Sequence, residues 1–338
     1  MIIGLFLGLL FVTPFVVTYV LFIRWCDRFE PEPWWLVMLA FVWGALFATL
    51  GGGLSSGIVQ AVLESLGGGT QVDMEAVGAT VLAPIFEEGF KGLGVAIIAA
   101  ISALGLKELD GPLDGCIYGG VVGLGFTLTE DILYVANQFD KEGLGGFVLL
   151  LFLRTVLLGL SHCTFTAMTG LGFGIAAESR SWTIRIFAPI GGYCGAMALH
   201  AVHNGLPTFF GEEGLVVMVL LSWVIDILFF VMLGALVMRD RATIVRELST
   251  EMGGLLHPRE LQLVTTYFSI GMKNWAVLMS RGLAAFSMRR RKQLALVELA
   301  FIKNRRRRGE FGRDLDMKEA KLRQEIWLAN RQGIWIGS

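Results

Sequence analysis

Charge is scarce in this chain. Asp, Glu, Lys and Arg make up 17% of its residues, against roughly 25% in a soluble domain, too few to clothe a globule in water. Cysteine is rarer still. Cys26, Cys116, Cys163 and Cys194 are the four present, none in C-x-x-C spacing, and they read as small buried hydrophobes. The chain has no nucleotide-binding fingerprint, no H-E-x-x-H and no internal repeat, and Gly51-Gly52-Gly53 and Gly67-Gly68-Gly69 are too bare to be phosphate loops. Apolar residues are abundant instead: 54% of the chain, with a mean hydropathy of +0.65. That composition is the mark of a polytopic membrane protein.

Seven runs of about twenty apolar residues, near 2–23, 36–62, 76–104, 115–136, 147–175, 187–208 and 214–238, are long enough to cross a bilayer. The expected fold is all-α: a polytopic transmembrane helical bundle of about seven spans over residues 1–238, then a helical, basic cytoplasmic tail over 239–338. The first run has no basic stretch ahead of it and meets Arg24 and Arg28 without a small-residue cleavage site, as expected of an uncleaved span. Arg24 and Arg28, then Lys107, then Arg180 and Arg185 fall in alternate connections, while the others hold only Lys141. This predicts a cell-membrane protein with its N-terminus outside and its C-terminus in the cytoplasm.

The tail holds 20 of the 28 Lys and Arg but 10 of the 29 Asp and Glu. Its runs Arg289-Arg290-Arg291-Lys292 and Arg305 to Arg308 suit anionic lipid better than nucleic acid, because a tethered basic segment already sits beside an anionic surface. Apolar spacing between Leu255 and Leu299 predicts amphipathic helices there rather than a separate enzymatic domain. Many of the 43 glycines, among them Gly119, Gly120, Gly123, Gly125, Gly170, Gly172 and Gly174, lie within spans, where small residues let helices approach.

The spans nevertheless contain ionisable residues. Glu87, Glu88 and Lys91 fall inside the third, Glu130 and Asp131 in the fourth, Arg154 and His162 in the fifth, His200, His203 and Asn204 in the sixth, and Asp226 in the seventh. Each costs on the order of 2.5–3.5 kcal/mol near a bilayer centre, and three of the four histidines are placed at that cost. On a helix either glutamate can reach Lys91, three or four residues on, while the two carboxylates diverge by about 100°. One is held and the other is left as a candidate base for water; spacing does not say which. Phe126, Glu130 and Tyr134 form one ridge, His162, Thr166 and Gly170 a second, His200 and Asn204 a third. Counted inward from the outer face, Glu87 and His162 lie mid-membrane and Glu130 and His200 nearer outside, so they can converge. His203 and Asp226 read as helix fasteners, and Arg154 as the partner of a carboxylate.

Two readings of this cluster stay open: a zinc held by members of Glu88, Glu130, His162 and His200, or water positioned by hydrogen bonds alone. His200 and Asn204 can in either case donate to an oxyanion.

Over residues 20–210 the chain resembles the PrsW family of intramembrane proteases, distantly akin to the CAAX-processing and bacteriocin-immunity endopeptidases. The resemblance is carried by Asp27-Arg28-Phe29-Glu30-Pro31-Glu32-Pro33, by Glu87-Glu88-x-x-Lys91, by Gly123-x-x-Phe126-x-x-x-Glu130, by Arg154 with His162, Thr166 and Gly170, and by His200-x-x-x-Asn204. It departs from the family at Asp131, where Asn is common, and from the CAAX relatives at Glu130, where they carry His. The resemblance implies a protease that clips single-span membrane proteins near the extracytoplasmic face, anti-sigma factors being the best-known substrates. It further implies Glu87 as base, Glu88 paired with Lys91, and His200 with Asn204 on the oxyanion. The rival from another class is a proton- or ion-coupled transporter, since Asp, Glu and His chains also mark ion pathways, but the paired broken-helix repeats of transporters are missing. An inactive membrane adaptor is the third alternative, and the intact polar set weighs against it.

Overall fold

The computed structural model describes residues 1–66, 73–106, 108–266 and 269–336. Lys107, used above for orientation, and the glycine run at 67–69 lie outside them. No strand forms among the described residues, most of which are helical. In order the helices are α1 (Ile2–Cys26), α2 (Trp34–Ser65), α3 (Met74–Gly105), α4 (Pro112–Leu151), α5 (Ser161–Glu178), α6 (Trp182–Ser249), α7 (Pro258–Val264), α8 (Ser269–Arg307) and α9 (Arg313–Arg331).

Among the described residues five stretches are long and apolar enough to cross a membrane: α1, α2, α3, Pro112–Glu178 and α6. Gly143 (φ +67°) interrupts α4 and Gly211 (φ +58°) interrupts α6. These left-handed breaks, open to glycine at no steric cost, fall between the fourth and fifth and between the sixth and seventh apolar runs.

The chain divides into two compact units, Met1–Asp27 with Glu32–Gly234 and Arg28–Pro31 with Ala235–Ser338. The first is built for lipid, with large apolar side chains outside and small residues inside. On α1, Ile2, Ile3, Phe6, Leu9 and Leu10 are exposed while Gly4, Gly8, Val12 and Val16 are buried. Lipid tails are as apolar as leucine, so close backbone packing rather than hydrophobic burial selects the inner face.

α4 packs closely on α5. Gly115, Gly119 and Gly123, four residues apart, are so close to α5 that a Cβ on each would stand 2.1 Å from the Gly170 carbonyl oxygen, 2.5 Å from that of Thr166 and 2.1 Å from that of His162. This stripe sets the position of the His162 and Thr166 backbone. Gly123→Ala is therefore expected to push the helices apart and cost about 1–3 kcal/mol, read as a lowered midpoint in thermal unfolding of the detergent-purified protein. Gly53→Ala on α2, where nothing lies within 4 Å, should leave the midpoint unchanged.

The Asp27 to Pro33 motif closes the turn into α2. Arg24 Nη2 donates to the Glu32 carbonyl at 3.0 Å, and the Tyr118 hydroxyl donates to the Glu32 carboxylate.

The second unit has its own core, with Phe29, Ile244, Leu248, Val264, Leu296, Leu299, Ile302 and Ile326 among its buried side chains. Its basic runs are largely committed within it. Lys292 is buried against Glu260 and donates to the Ile334 carbonyl at 2.8 Å. Arg305 reaches Glu310 at 2.8 Å, Arg306 reaches Glu319 at 2.7 Å, and Arg307 reaches Glu247 at 3.0 Å.

Candidate active site

Four helices and the wide turn ahead of α5 bring the predicted polar residues into one cluster. Glu87, Glu88 and Lys91 come from α3, Phe126, Glu130 and Asp131 from α4, Arg154 from the turn Phe152–Leu157, His162 and Thr166 from α5, and His200 from α6. These side chains, expected to converge, do meet in the packing.

Lys91 is the hub. Its ammonium, fully buried, lies 2.8 Å from Glu88 Oε1, 3.1 Å from His162 Nδ1, 3.8 Å from Glu87 Oε2 and 3.6 Å from the centre of the Phe126 ring. An ammonium only donates, so His162 Nδ1 is the acceptor, and His162 Nε2 carries the proton toward Glu130 Oε2 at 2.9 Å. His200 Nδ1 lies 3.0 Å from the same Glu88 Oε1 and donates to it. Each histidine is thereby backed by its own carboxylate, His162 by Glu130 and His200 by Glu88. This fixes the ring and the tautomer, as carboxylate–histidine pairs do in metal sites, and leaves one imidazole lone pair on each facing the cluster.

The two glutamates left equivalent by spacing are not equivalent in the fold. Glu88 is fully buried and saturated: Lys91 and His200 share Oε1, and Thr166 Oγ1 donates to Oε2 at 3.0 Å. Glu87 Oε2 is buried with no hydrogen-bond partner, 3.8 Å from both Lys91 Nζ and His200 Nε2. Space around it is made by α2, where a Cβ at Gly52 would come within 2.9 Å of Glu87 Cγ.

Asp131, the departure from the resembled pattern, is matched by partners. Arg154 Nε donates to Asp131 Oδ1 at 2.9 Å, Arg154 Nη2 to Glu130 Oε2 at 2.5 Å, and Thr155 Oγ1 to Asp131 Oδ2 at 2.8 Å. The guanidinium also lies 4.0 Å over the Tyr134 ring.

Asn204 is placed elsewhere. The wide helical turn Gly78–Leu82 closes with the Ala83 N–H on the Gly78 carbonyl, and the next donor in that register is Pro84, which has none. The freed Ala79 carbonyl takes Asn204 Nδ2 at 2.9 Å, so this amide locks α6 to α3 instead of facing Glu87. His203 meets Ser222 Oγ at 3.2 Å and Asp226 accepts from Thr164 Oγ1 at 2.6 Å, as helix fasteners.

Two contributors escape a reading by spacing. Phe165 stacks on His200 at 5.6 Å and 26° and edges His162 at 5.9 Å, so it walls both imidazoles. Thr155 completes the shell of Asp131. The i, i+3 relation of His162 to Phe165 is the one local signal for either.

The donor set suits a divalent metal. One ligand atom each from Glu88, His162 and His200 lie within 4.8 Å of one another, the imidazole and carboxylate combination that catalytic zinc takes. Four carboxylates here face two cations, Lys91 and Arg154, an excess of negative charge that a divalent ion would neutralise. Glu130 does not join that group; held by Arg154, it orients His162 from behind. Lys91 bonds Glu88 Oε1 and His162 Nδ1, donor atoms of two of these three residues, so the ammonium and a metal would compete wherever the metal takes those atoms.

Against known proteins, a family model described as PrsW family intramembrane metalloprotease matches residues 32–237, more than half of the chain and every site residue above. No curated protein and no solved structure matches.

Proposed function

The chain belongs to the PrsW family of intramembrane metalloproteases, and from that premise we propose that it cleaves single-span membrane proteins with Glu87 as the base that activates water. The observation that carries this reading is the contrast between a saturated Glu88 and a Glu87 oxygen with no hydrogen bond, set between an ammonium and an imidazole. Glu87 takes a proton from water as the oxygen attacks the scissile carbonyl carbon. The developing oxyanion is stabilised by the Lys91 ammonium, worth more in a site shut from water than at a surface. Glu87 then returns the proton to the departing amide nitrogen as the C–N bond breaks.

Glu88, His162 and His200 are the residues that would hold a zinc, and Glu130 and Thr166 support them. Such an ion, when bound, supplies Lewis acidity and eases ionisation of water. Asn204, engaged on Ala79, is assigned to holding the site's walls.

The topology we propose has seven crossings, the N-terminus outside and the C-terminus in the cytoplasm. Substrates would be cut near their extracytoplasmic boundary, anti-sigma factors being one class that fits. The test is cleavage of co-expressed single-span reporters by the wild type, with and without a chelator. Product that disappears with the chelator and returns with added zinc is the expected result. Product insensitive to chelation would leave water activation to Glu87, Lys91 and His200 alone, and no product across a broad reporter panel would overturn the protease reading.

A further inference from the structure

The second unit carries an apolar stripe that its own core does not use. Ahead of the break at Gly282 (φ +80°), α8 exposes Met272, Trp275 and Met279 at 71%, 63% and 72%, and Leu283 follows at 71%. At 100° per residue the first three lie within about 60° of one another, while Ile270 and Asn274 on the opposite face are buried at 2% and 6%. The inner face is pinned, since Asn274 Nδ2 donates to Gln293 Oε1 at 2.8 Å and Asn274 Oδ1 accepts from Arg289 Nε at 2.8 Å. The stripe is therefore held outward by a packed polar network. Contiguous exposed apolar surface of this kind marks a binding face.

We propose that this stripe lies in the membrane–water interface, with the head-group layer of an anionic bilayer as its occupant. Charge decides for that partner. Between Ser269 and Val297 the chain has six Lys and Arg and no Asp or Glu. Lys273 and Arg281 beside the stripe make no hydrogen bond or ion pair among the described residues, and Arg291 remains 74% exposed despite a 3.8 Å contact to Glu325. Arg305, Arg306 and Arg307, by contrast, are spent on carboxylates of the same unit. Trp with Met and Leu on one side and Lys and Arg around it is the composition of helices that lie in the interface plane, and tryptophan favours head-group depth. A second copy of the chain fits the same surface poorly, because pairing the stripes would bring two acid-free basic segments together.

The full-length protein with Cys194→Ser, which leaves only the buried Cys26, Cys116 and Cys163, can take an environment-sensitive fluorophore at Met279→Cys or Met272→Cys. In phosphatidylcholine nanodiscs containing phosphatidylglycerol, the label is expected to be quenched by doxyl lipid and shielded several-fold from iodide. That shielding should fall with Lys273→Glu and Arg281→Glu. Free access of iodide and no quenching by doxyl lipid at both positions would overturn the proposal. So would shielding that tracks protein concentration without doxyl quenching, the signature of a second copy.

Discussion

Glu87→Gln should lower reporter cleavage by about 10²–10⁴-fold, the usual loss when a general base is removed, while the protein accumulates and melts as the wild type does. The side chains are nearly the same shape, and Glu87 Oε2 gives up no hydrogen bond because it makes none. The substitution even removes one negative charge from a cluster that has an excess. Glu88→Gln makes the opposite pattern: it weakens bonds from Lys91, His200 and Thr166 at once, so stability falls together with activity. The comparison needs both cleavage and thermal unfolding. Full activity in Glu87→Gln, with loss in a stably folded Glu88→Gln, would reassign the base to Glu88.

The largest structural effect is expected at Lys91. Lys91→Met leaves Glu88 fully buried without its ammonium and takes the donor from His162 Nδ1 and the cation from the face of Phe126. Breaking one side of a buried ion pair typically costs about 3–5 kcal/mol, enough to unfold or deplete a marginally stable protein. The double variant Glu88→Gln with Lys91→Met removes both charges and should recover much of that loss, since an uncompensated buried charge, not the missing contact, is the larger penalty. Cleavage should stay absent in the double variant, because the group set against the oxyanion is gone. The two unfolding midpoints and a cleavage blot decide the matter: a double variant no more stable than Lys91→Met would mean that the pair's worth lies outside its charge balance.

Much of this protein is visible before folding is considered, and the reason is the solvent. A bilayer leaves no cheap place for Glu87, Glu88, Lys91, His162 or His200, so their presence in apolar runs already selects them as a set. The same physics gave the helical class, because only helices and closed barrels satisfy the backbone in hydrocarbon. Glycine breaks at 143 and 211 sit where long apolar runs part. The second unit was harder to anticipate. Its basic composition predicts amphipathic helices, but the core that its leucines and isoleucines close and the internal carboxylates that several of its arginines meet rest on contacts between segments distant in sequence.

What sequence by itself determined is the inventory and its burial: which ionisable groups lie in the spans, that Lys91 is within reach of both neighbouring glutamates, and that Arg154 has a carboxylate to meet. Helical spacing is local and fixes such relations within one turn. Only the tertiary structure decided that Glu88 is saturated while Glu87 is not, that Glu130 backs His162 instead of joining Glu88, His162 and His200, and that Asn204 serves the carbonyl released by Pro84. Those outcomes depend on how α3, α4, α5 and α6 rotate against one another. Between α4 and α5 that rotation is set by glycine contacts at Gly115, Gly119 and Gly123, whose partners lie some 40 to 55 residues along the chain and which no periodicity within a single helix encodes.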